Sequence, residues 1–429
     1  MRGFLASSIG VTCAAALALP LTLPTASHAA PSPTREAIPG STQSLPLDPL
    51  ESSPGSTSTR AAGAPQEQGL TRRDVRPFSL VGVVWDDPDA QLHGHVQVRT
   101  RTTDTTRWST WQDVETHNDD APDLGTPERA AGTLHGATAP LWVGDSDGVE
   151  VRVKAEESEA ERPERAEPPT TLPKGLRLEL VDPGEEPPQG SRAEGANAGV
   201  IPALDKKQTE DELIEARGGK PAEAAARPFI GPRPRIITRK GWGANEKLRE
   251  RKLGYTKTVK AAFVHHSASG NNYRCSQAPS VIRSIYRYHV KSSGWRDIGY
   301  NFLVDKCGNI YEGRAGGVAK PVMGAHTLGF NTNSTGIAVL GSYGSSNPPS
   351  AAVKAIARLT AWKLGLYGAN PRGSTYLKSG GGNLYRKGKN VRLKVISGHR
   401  DGFATECPGR RLYNKLGSAR TSSAHLQGR

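Results

Sequence analysis

The chain has 429 residues, a formal net charge of +14, 35% hydrophobic and 23% charged residues. That length suits two ordinary domains with linkers, and the composition excludes a wholly disordered or fibrous chain. The charge is divided: residues 233–429 carry 34 Lys+Arg against 7 Asp+Glu, and residues 1–232 carry 22 against 35. A basic half seeks a polyanion, such as nucleic acid, an anionic membrane face or a wall polymer.

Residues 1–30 read as a secretory signal peptide. Arg2 precedes the apolar run "FLASSIGVTCAAALALPLTL", and "SHA" at 27–29 fits a small-x-Ala cleavage site. No later stretch approaches the roughly 18 apolar residues of a spanning helix. The expectation is an exported, soluble protein, for which a wall polymer or membrane face is a better partner than nucleic acid. Cys13 leaves with the leader. Cys275, Cys307 and Cys407 remain, an odd number in an oxidising compartment, so one needs a role other than a disulfide.

Residues 31–75 are rich in Ser, Pro, Thr and Gly and read as a disordered leader. Residues 76–183 read as a small all-β accessory domain, a sandwich. Its runs are "FSLVGVVW", "GHVQVRTRT", "WSTWQDVE", "PLWVG", "VEVRVKA" and "LRLELVD", with turn residues between them. The charged stretch 155–172 reads as a loop insertion. Trp108 and Trp111 are three apart, so on a strand they face opposite sides and cannot form one carbohydrate platform. Residues 184–232 read as a Pro- and Gly-rich linker, with a short helix at "TEDELIEAR".

Residues 233–420 alternate strand and helix patterns. "KAAFVHH" is a strand, and "SQAPSVIRSIYRYHVK" a helix capped by Ser276 with Val281, Ile285 and Tyr288 inward. "YNFLVDKCGNIYEGR" is a hairpin and "GIAVLGSY" a strand. "SAAVKAIARLTAWKLGLYG" is a helix capped by Ser350, and "VRLKVISGH" a strand before a last helix after "CPGRRLYNKL". The sum is an α/β domain, a mixed central sheet with flanking helices. The basic, Gly-rich insertion 371–394 reads as a mobile hairpin suited to wall anions such as teichoic acids.

His399 and Cys407 flank a short Gly-containing loop. With a histidine from "VHH" they offer two imidazoles and a thiolate, a zinc-type donor set. Three protein ligands leave a position open for chemistry; four close it. Adjacent strand residues point to opposite faces, so only one of His265 and His266 can join them. The residues alone do not choose between the two.

Six ordered stretches carry a resemblance: "RKGWGANE", "FVHHSA", "GWRDIGYNFLVD", "GNIYEGR", "GAHTLGFNTNSTGIAVLGSY" and "SGHRDGFATECPG". Residues 233–417 resemble the peptidoglycan recognition protein / type 2 N-acetylmuramoyl-L-alanine amidase family, with a catalytic domain like that of T7 lysozyme. The resemblance implies one zinc ion per chain, held by His265, His399 and Cys407. It implies hydrolysis of the amide between the lactyl group of N-acetylmuramic acid and L-alanine, with a water on the zinc as nucleophile. Tyr300 and Thr405 are implied to stabilise the transition state. Trp295, Arg314, His326 and Asn331 are implied to line the substrate groove, with Arg314 pairing a stem-peptide carboxylate. His266 is expected to pack behind the site.

Family members that only recognise peptidoglycan lack the cysteine ligand, so Cys407 favours an enzyme over a non-catalytic recognition protein. Ala404 stands where many relatives have proline, and Glu406 is also a departure. Cys275 and Cys307 are then expected to pair, closing a loop of about 30 residues worth roughly 3–4 kcal/mol. The implied setting is a secreted, cell-wall-associated monomer with no nucleic-acid partner.

Overall fold

The run "SLVGVVW" is apolar without a break, which marks a strand buried on both faces. In the computed structural model it ends β3 (Glu67–Trp85), and its two faces go to two cores. Val81, Val83 and Trp85 enter the aliphatic interior of the accessory domain. Leu80 and Val84 enter a second core shared with the C-terminal domain. The structure describes residues 40–50, 67–116, 120–156, 171–185, 199–221 and 226–429. The signal peptide and most of the charged stretch 155–172 lie outside the described residues.

The accessory domain contains β1 (Thr42–Pro46), β2 (Asp48–Pro49), β3, β4 (Gly94–Thr102), β5 (Gln112–Val114), β6 (Gly136–Ala137), β7 (Leu141–Ala155) and β8 (Arg177–Val181). They join in one antiparallel sheet, ordered β1-β8-β3-β7-β4-β5, with β2 and β6 on β3. The strands hydrogen-bond in one continuous sheet, whose inward faces enclose a single aliphatic core. Its long strands β3 and β7 shift register at three places, the bulges that bend a sheet. "PLWVG" and "VEVRVKA" are one strand, not two. The leader reading is also corrected: Thr42–Pro46 pairs along β8, and β3 begins at Glu67. Backbone pairing holds these polar segments, and composition does not show it.

The two tryptophans require another correction. Residues 108–111 precede β5 and are not a strand there, so the alternation rule does not apply. Arg99 lies over both rings, 5.9 Å from Trp108 and 4.9 Å from Trp111. Arg72 and Arg152 flank them at 5.1 and 4.4 Å.

The C-terminal domain runs β9 (Val200–Ile201), α1 (Lys206–Ala216), β10 (Ile236–Ile237), β11 (Ala261–His266), α2 (Ala278–Arg287), β12 (Phe302–Val304), β13 (Ile310–Glu312) and β14 (Ser334–Val339). It continues with α3 (Ser350–Gly365), β15 (Ser374–Lys378), β16 (Asn390–Lys394), β17 (Ile396–Gly398), α4 (Arg410–Tyr413) and α5 (Leu416–Gln427). The mixed sheet is ordered β17-β11-β14-β12-β13-β10-β9. Strands β17, β11, β14 and β12 are parallel neighbours. Helices α3 and α5 pack on one face around Val264 and Ile337. Helix α2 covers the other face around Leu303 and Ala338.

The linker reading is corrected in part, because β9 pairs with β10 and Leu213 of α1 enters the core. Helix α1 itself is where "TEDELIEAR" places it, with Asp205 as its cap. The caps of α2 and α3 are Gln277 and Pro349 rather than Ser276 and Ser350. "VRLKVISGH" splits at Val395 into β16, in the 371–394 hairpin, and β17, in the main sheet. That hairpin is packed: Leu377, Val391 and Leu393 lie on Ala261 and Phe263.

The described residues all belong to one compact unit. The joint between its halves is the outer face of β3 on α2. Tyr288, following α2, donates its hydroxyl to the Thr138 carbonyl at 3.1 Å. Gly82 makes room for it: a Cβ there would lie 2.3 Å from the Tyr288 oxygen. Among the described residues no helix is long and apolar enough to cross a membrane.

Candidate metal centre and groove

Parity along β11 separates the two histidines. Ala262 and Val264 face the α3 core, so His266 follows them. It is buried, and its Nδ1 accepts the Tyr343 N–H at 3.2 Å. Ala261 and Phe263 face the other way, and His265 follows these.

Strand β17 runs parallel to β11, with Gly398 level with Val264. His265 and His399 therefore emerge together at the carboxyl ends of adjacent parallel strands, where α/β sheets place ligands. Their ring centroids are 4.5 Å apart. The loop after His399 folds back, and the Arg400 N–H donates to the Cys407 carbonyl at 3.0 Å. Donor atoms of His265, His399 and Cys407 all lie within 4.8 Å of one another, and all three residues are buried. Burial pushes His265 and His399 down to about 3, so both imidazoles are neutral, the form that binds a metal.

The donor set fits zinc: two imidazoles and one thiolate, grouped and dry. Both ring nitrogens of His399 are buried without a hydrogen bond. Buried polar atoms are rarely left so, and a cation beside Nδ1 would satisfy one of them. Thr327 contributes behind the site. Its Oγ1 is 3.4 Å from His265 Nε2, which leaves His265 Nδ1 toward the Cys407 Sγ at 3.8 Å. The sequence reading did not single out Thr327, although it stands in the "GAHTLGFN" stretch.

Tyr300 reaches the centre, its ring 5.5 Å from that of His265. Burial, and then Asp120, raises its pKa well above the ordinary value, so it stays protonated. Thr405 Oγ1 accepts the Cys407 N–H at 3.2 Å. Trp295 packs on His289 and Leu134, and lines a cavity of about 330 Å³ bounded by both halves of the chain. His326 and Asn331 are fully buried, and the Asn331 Oδ1 accepts the N–H groups of His326 and Thr327. Arg314 is already paired within the chain. Its guanidinium meets both oxygens of Glu128 at 2.8 and 2.9 Å.

The carboxylates of Asp120, Asp123 and Glu128 were not anticipated. Asp120 Oδ2 accepts the Tyr300 hydroxyl at 2.5 Å. Its Oδ1 is 3.1 Å from His265 Nδ1 and 3.4 Å from His399 Nδ1. Burial raises its carboxyl to about 6, a cost that a neighbouring cation would offset. The acid-rich run "DDAPDLGTPE" was the available signal, but no spacing in it pointed to residues 145 or more positions away. Cys275 and Cys307 form the expected disulfide.

Fold and site together define an α/β domain with a His–His–Cys donor set at the ends of its parallel strands. Residues 255–410 match the N-acetylmuramoyl-L-alanine amidase family model, and residues 30–173 match the Rv3811 N-terminal galactose-binding domain-like model. Peptidoglycan-recognition protein SC2 of Drosophila simulans is 31% identical over 183 residues, 42% of this chain and 84% of that protein. The human N-acetylmuramoyl-L-alanine amidase is 31% identical over 198 residues, 44% of this chain and 28% of that protein. The structure of Drosophila PGRP-LB aligns at a TM-score of 0.34 and 26% identity, covering 43% of this chain and 92% of that one. The chain belongs to the peptidoglycan recognition protein / type 2 N-acetylmuramoyl-L-alanine amidase family.

Proposed function

We propose that the chain is a zinc-dependent N-acetylmuramoyl-L-alanine amidase of peptidoglycan, exported to the cell wall. The observation that carries this is the convergence of His265, His399 and Cys407 in one buried cluster. A recognition module has no use for the thiolate. When bound, zinc supplies a Lewis acid that lowers the pKa of water and polarises the scissile carbonyl.

The residues divide the remaining work. His265 and His399 present neutral Nδ1 atoms, and Thr327 orients the first of them. Thr405 holds the Cys407 backbone through its N–H, so its role is to place the thiolate. Tyr300, kept protonated by burial, donates a hydrogen bond to the oxygen that gains charge as the amide is attacked. Trp295 and Arg314 line the groove for the sugar and for a stem-peptide carboxylate. The basic hairpin 371–394 adds attraction to wall anions such as teichoic acids.

The test uses the full chain, stripped by chelator and reloaded with zinc, beside Cys407→Ala. Wild type is expected to take up one zinc and to release new L-alanine amino termini from peptidoglycan only when loaded. The substitution is expected to lose both. Zinc uptake without released termini, in wild type and in the groove variants described below, would instead assign a recognition protein.

A further inference from the structure

Between β5 and β6 the chain leaves the accessory sheet, and residues 120–134 lie along the catalytic half. Asp120 stands beside the donor cluster, hydrogen-bonded to Tyr300 and facing both imidazoles. The Ala121 carbonyl accepts Asn331 Nδ2 at 2.9 Å. Asp123 Oδ1 accepts Asn331 Nδ2 and the Gly329 N–H, each at 2.7 Å. Glu128 holds Arg314 with both oxygens and accepts the Arg296 N–H at 3.1 Å. Leu134 closes on Trp295.

These partners are the machinery of the proposed reaction: the donor set, Tyr300, and three of the four implied groove residues. A carboxylate serving only as a proton acceptor needs one anchor beside the reacting atoms. This segment follows the groove instead, contact after contact. At its head a carboxylate oxygen comes close to the donor spacing on the imidazole side. Donors of a tetrahedral zinc site with bonds of about 2.0–2.3 Å lie roughly 3.3–3.8 Å apart. Asp120 Oδ1 lies 3.1 and 3.4 Å from the two Nδ1 atoms. It is buried and accepts no hydrogen bond.

We propose that Asp120 is an internal fourth ligand of the metal and that residues 120–134 occupy the substrate groove, so that the folded chain is latent. This rests on the amidase reading of the same site. Three ligands leave a working position open; a fourth from the protein closes it. Glu128 takes the place on Arg314 that a stem-peptide carboxylate would take. The substrate class that displaces the segment is an acidic muropeptide able to offer the same groups.

The test compares full-length wild type, Asp120→Ala and Glu128→Gln by three readouts. They are calorimetric binding of a soluble disaccharide–tripeptide muropeptide, the visible spectrum of the cobalt-substituted protein with added azide, and release of L-alanine termini by the zinc form. Wild-type cobalt protein is expected to ignore azide, and Asp120→Ala to respond. Muropeptide binding is expected to tighten about tenfold in both variants, because a groove closed nine times in ten divides the apparent affinity by ten. Release should rise in parallel.

Glu128→Gln leaves the donor set intact and tests occupancy if Asp120→Ala does not fold. Unchanged muropeptide affinity in the variants that fold, with an azide response in wild type, would overturn the proposal. So would lost cleavage in Asp120→Ala without tighter binding, which would make Asp120 a proton acceptor. Variants that gain binding and azide response yet release no termini would keep the occupied groove and sink the amidase reading. Full wild-type cleavage with no gain in either variant would do the reverse.

Discussion

The accessory domain meets the C-terminal domain through two surfaces of opposite character. On the first, Leu80, Val84, Trp142 and Val181 of the sheet interlock with Ile285 and Tyr288 in one apolar cluster, beside which the buried Glu179 accepts the Ser292 hydroxyl. On the second, the carboxylates of Asp120, Asp123 and Glu128 meet imidazoles, an amide and a guanidinium. Separating the first exposes apolar area at about 25 cal/mol per Å², and a polar ligand cannot replace the contact. Separating the second exchanges one set of polar partners for another, which a polar substrate can supply. One surface is a fixed joint, and the other is open to competition. The acidic and basic halves of the chain are thus partly each other's counter-charge.

The donor set lies beside both surfaces, and breaking it gives the largest expected effect. Cys407→Ala should weaken zinc binding by more than about 100-fold, since even the partners behind metal ligands are worth 10–100-fold. Equilibrium dialysis against a zinc buffer reads this, and an unchanged affinity would remove Cys407 from the site.

Glu128→Gln breaks the ionic surface. Removing one partner of a buried ion pair costs about 3–5 kcal/mol. Burial raises the Glu128 carboxyl, but the charge and hydrogen bonds of Arg314, with the Arg296 N–H, outweigh it and leave the pKa below its ordinary 4.5. The folded value is depressed, so the stabilisation is full above about 4.5 and is lost as pH falls through the folded value. Denaturant melts should separate variant from wild type at neutral pH and converge in strong acid. A gap independent of pH would mean that charge is not its source.

The disulfide, at the start of α2, serves as a control for the metal cluster. Reducing Cys275–Cys307, separated by 32 positions, should cost roughly 3–4 kcal/mol in the loop-entropy model. Zinc content should not change, because the proposed ligand thiol is Cys407. Metal loss on mild reduction would contradict that division of the three cysteines.

The smallest expected effect sharpens the apolar joint. Gly82→Ala should cost about 1–3 kcal/mol by overpacking against Tyr288. Adding Tyr288→Phe should return only part of that cost, because the hydroxyl oxygen is the nearest clash but ring carbons at 2.5 and 2.6 Å remain. Strictly additive melts would show that the two residues do not meet.

Much of the catalytic half was legible because its signals are local. The "VHH" stretch, the "GHRDGFATECPG" loop and the hairpin around Cys307 each pattern within a few residues, and the order of six such stretches carried the family. Helix caps were less legible: Ser276 and Ser350 each lie one position from the cap observed, where a neighbouring residue adopts the boundary conformation instead. In the accessory half, Thr42–Pro46 and the start of β3 looked unstructured because they are polar, and strand pairing satisfies backbone groups whatever the side chains. Trp108 and Trp111 were misplaced by a periodicity that holds only inside a strand.

Matched motifs along the C-terminal segment pointed to its fold, to the candidate donors and to the pairing of Cys275 with Cys307, while spacing alone left His265 and His266 undivided. What lies against these residues came from the folded structure alone. Asp120 is 145 positions before His265 and 279 before His399, and Glu128 is 186 before Arg314. An acidic loop carries no periodicity that names its partner. Its meaning comes from the joint between β3 and α2, which fixes where the loop must fall, and from the energy of leaving buried charges unpaired, which fixes what it must touch.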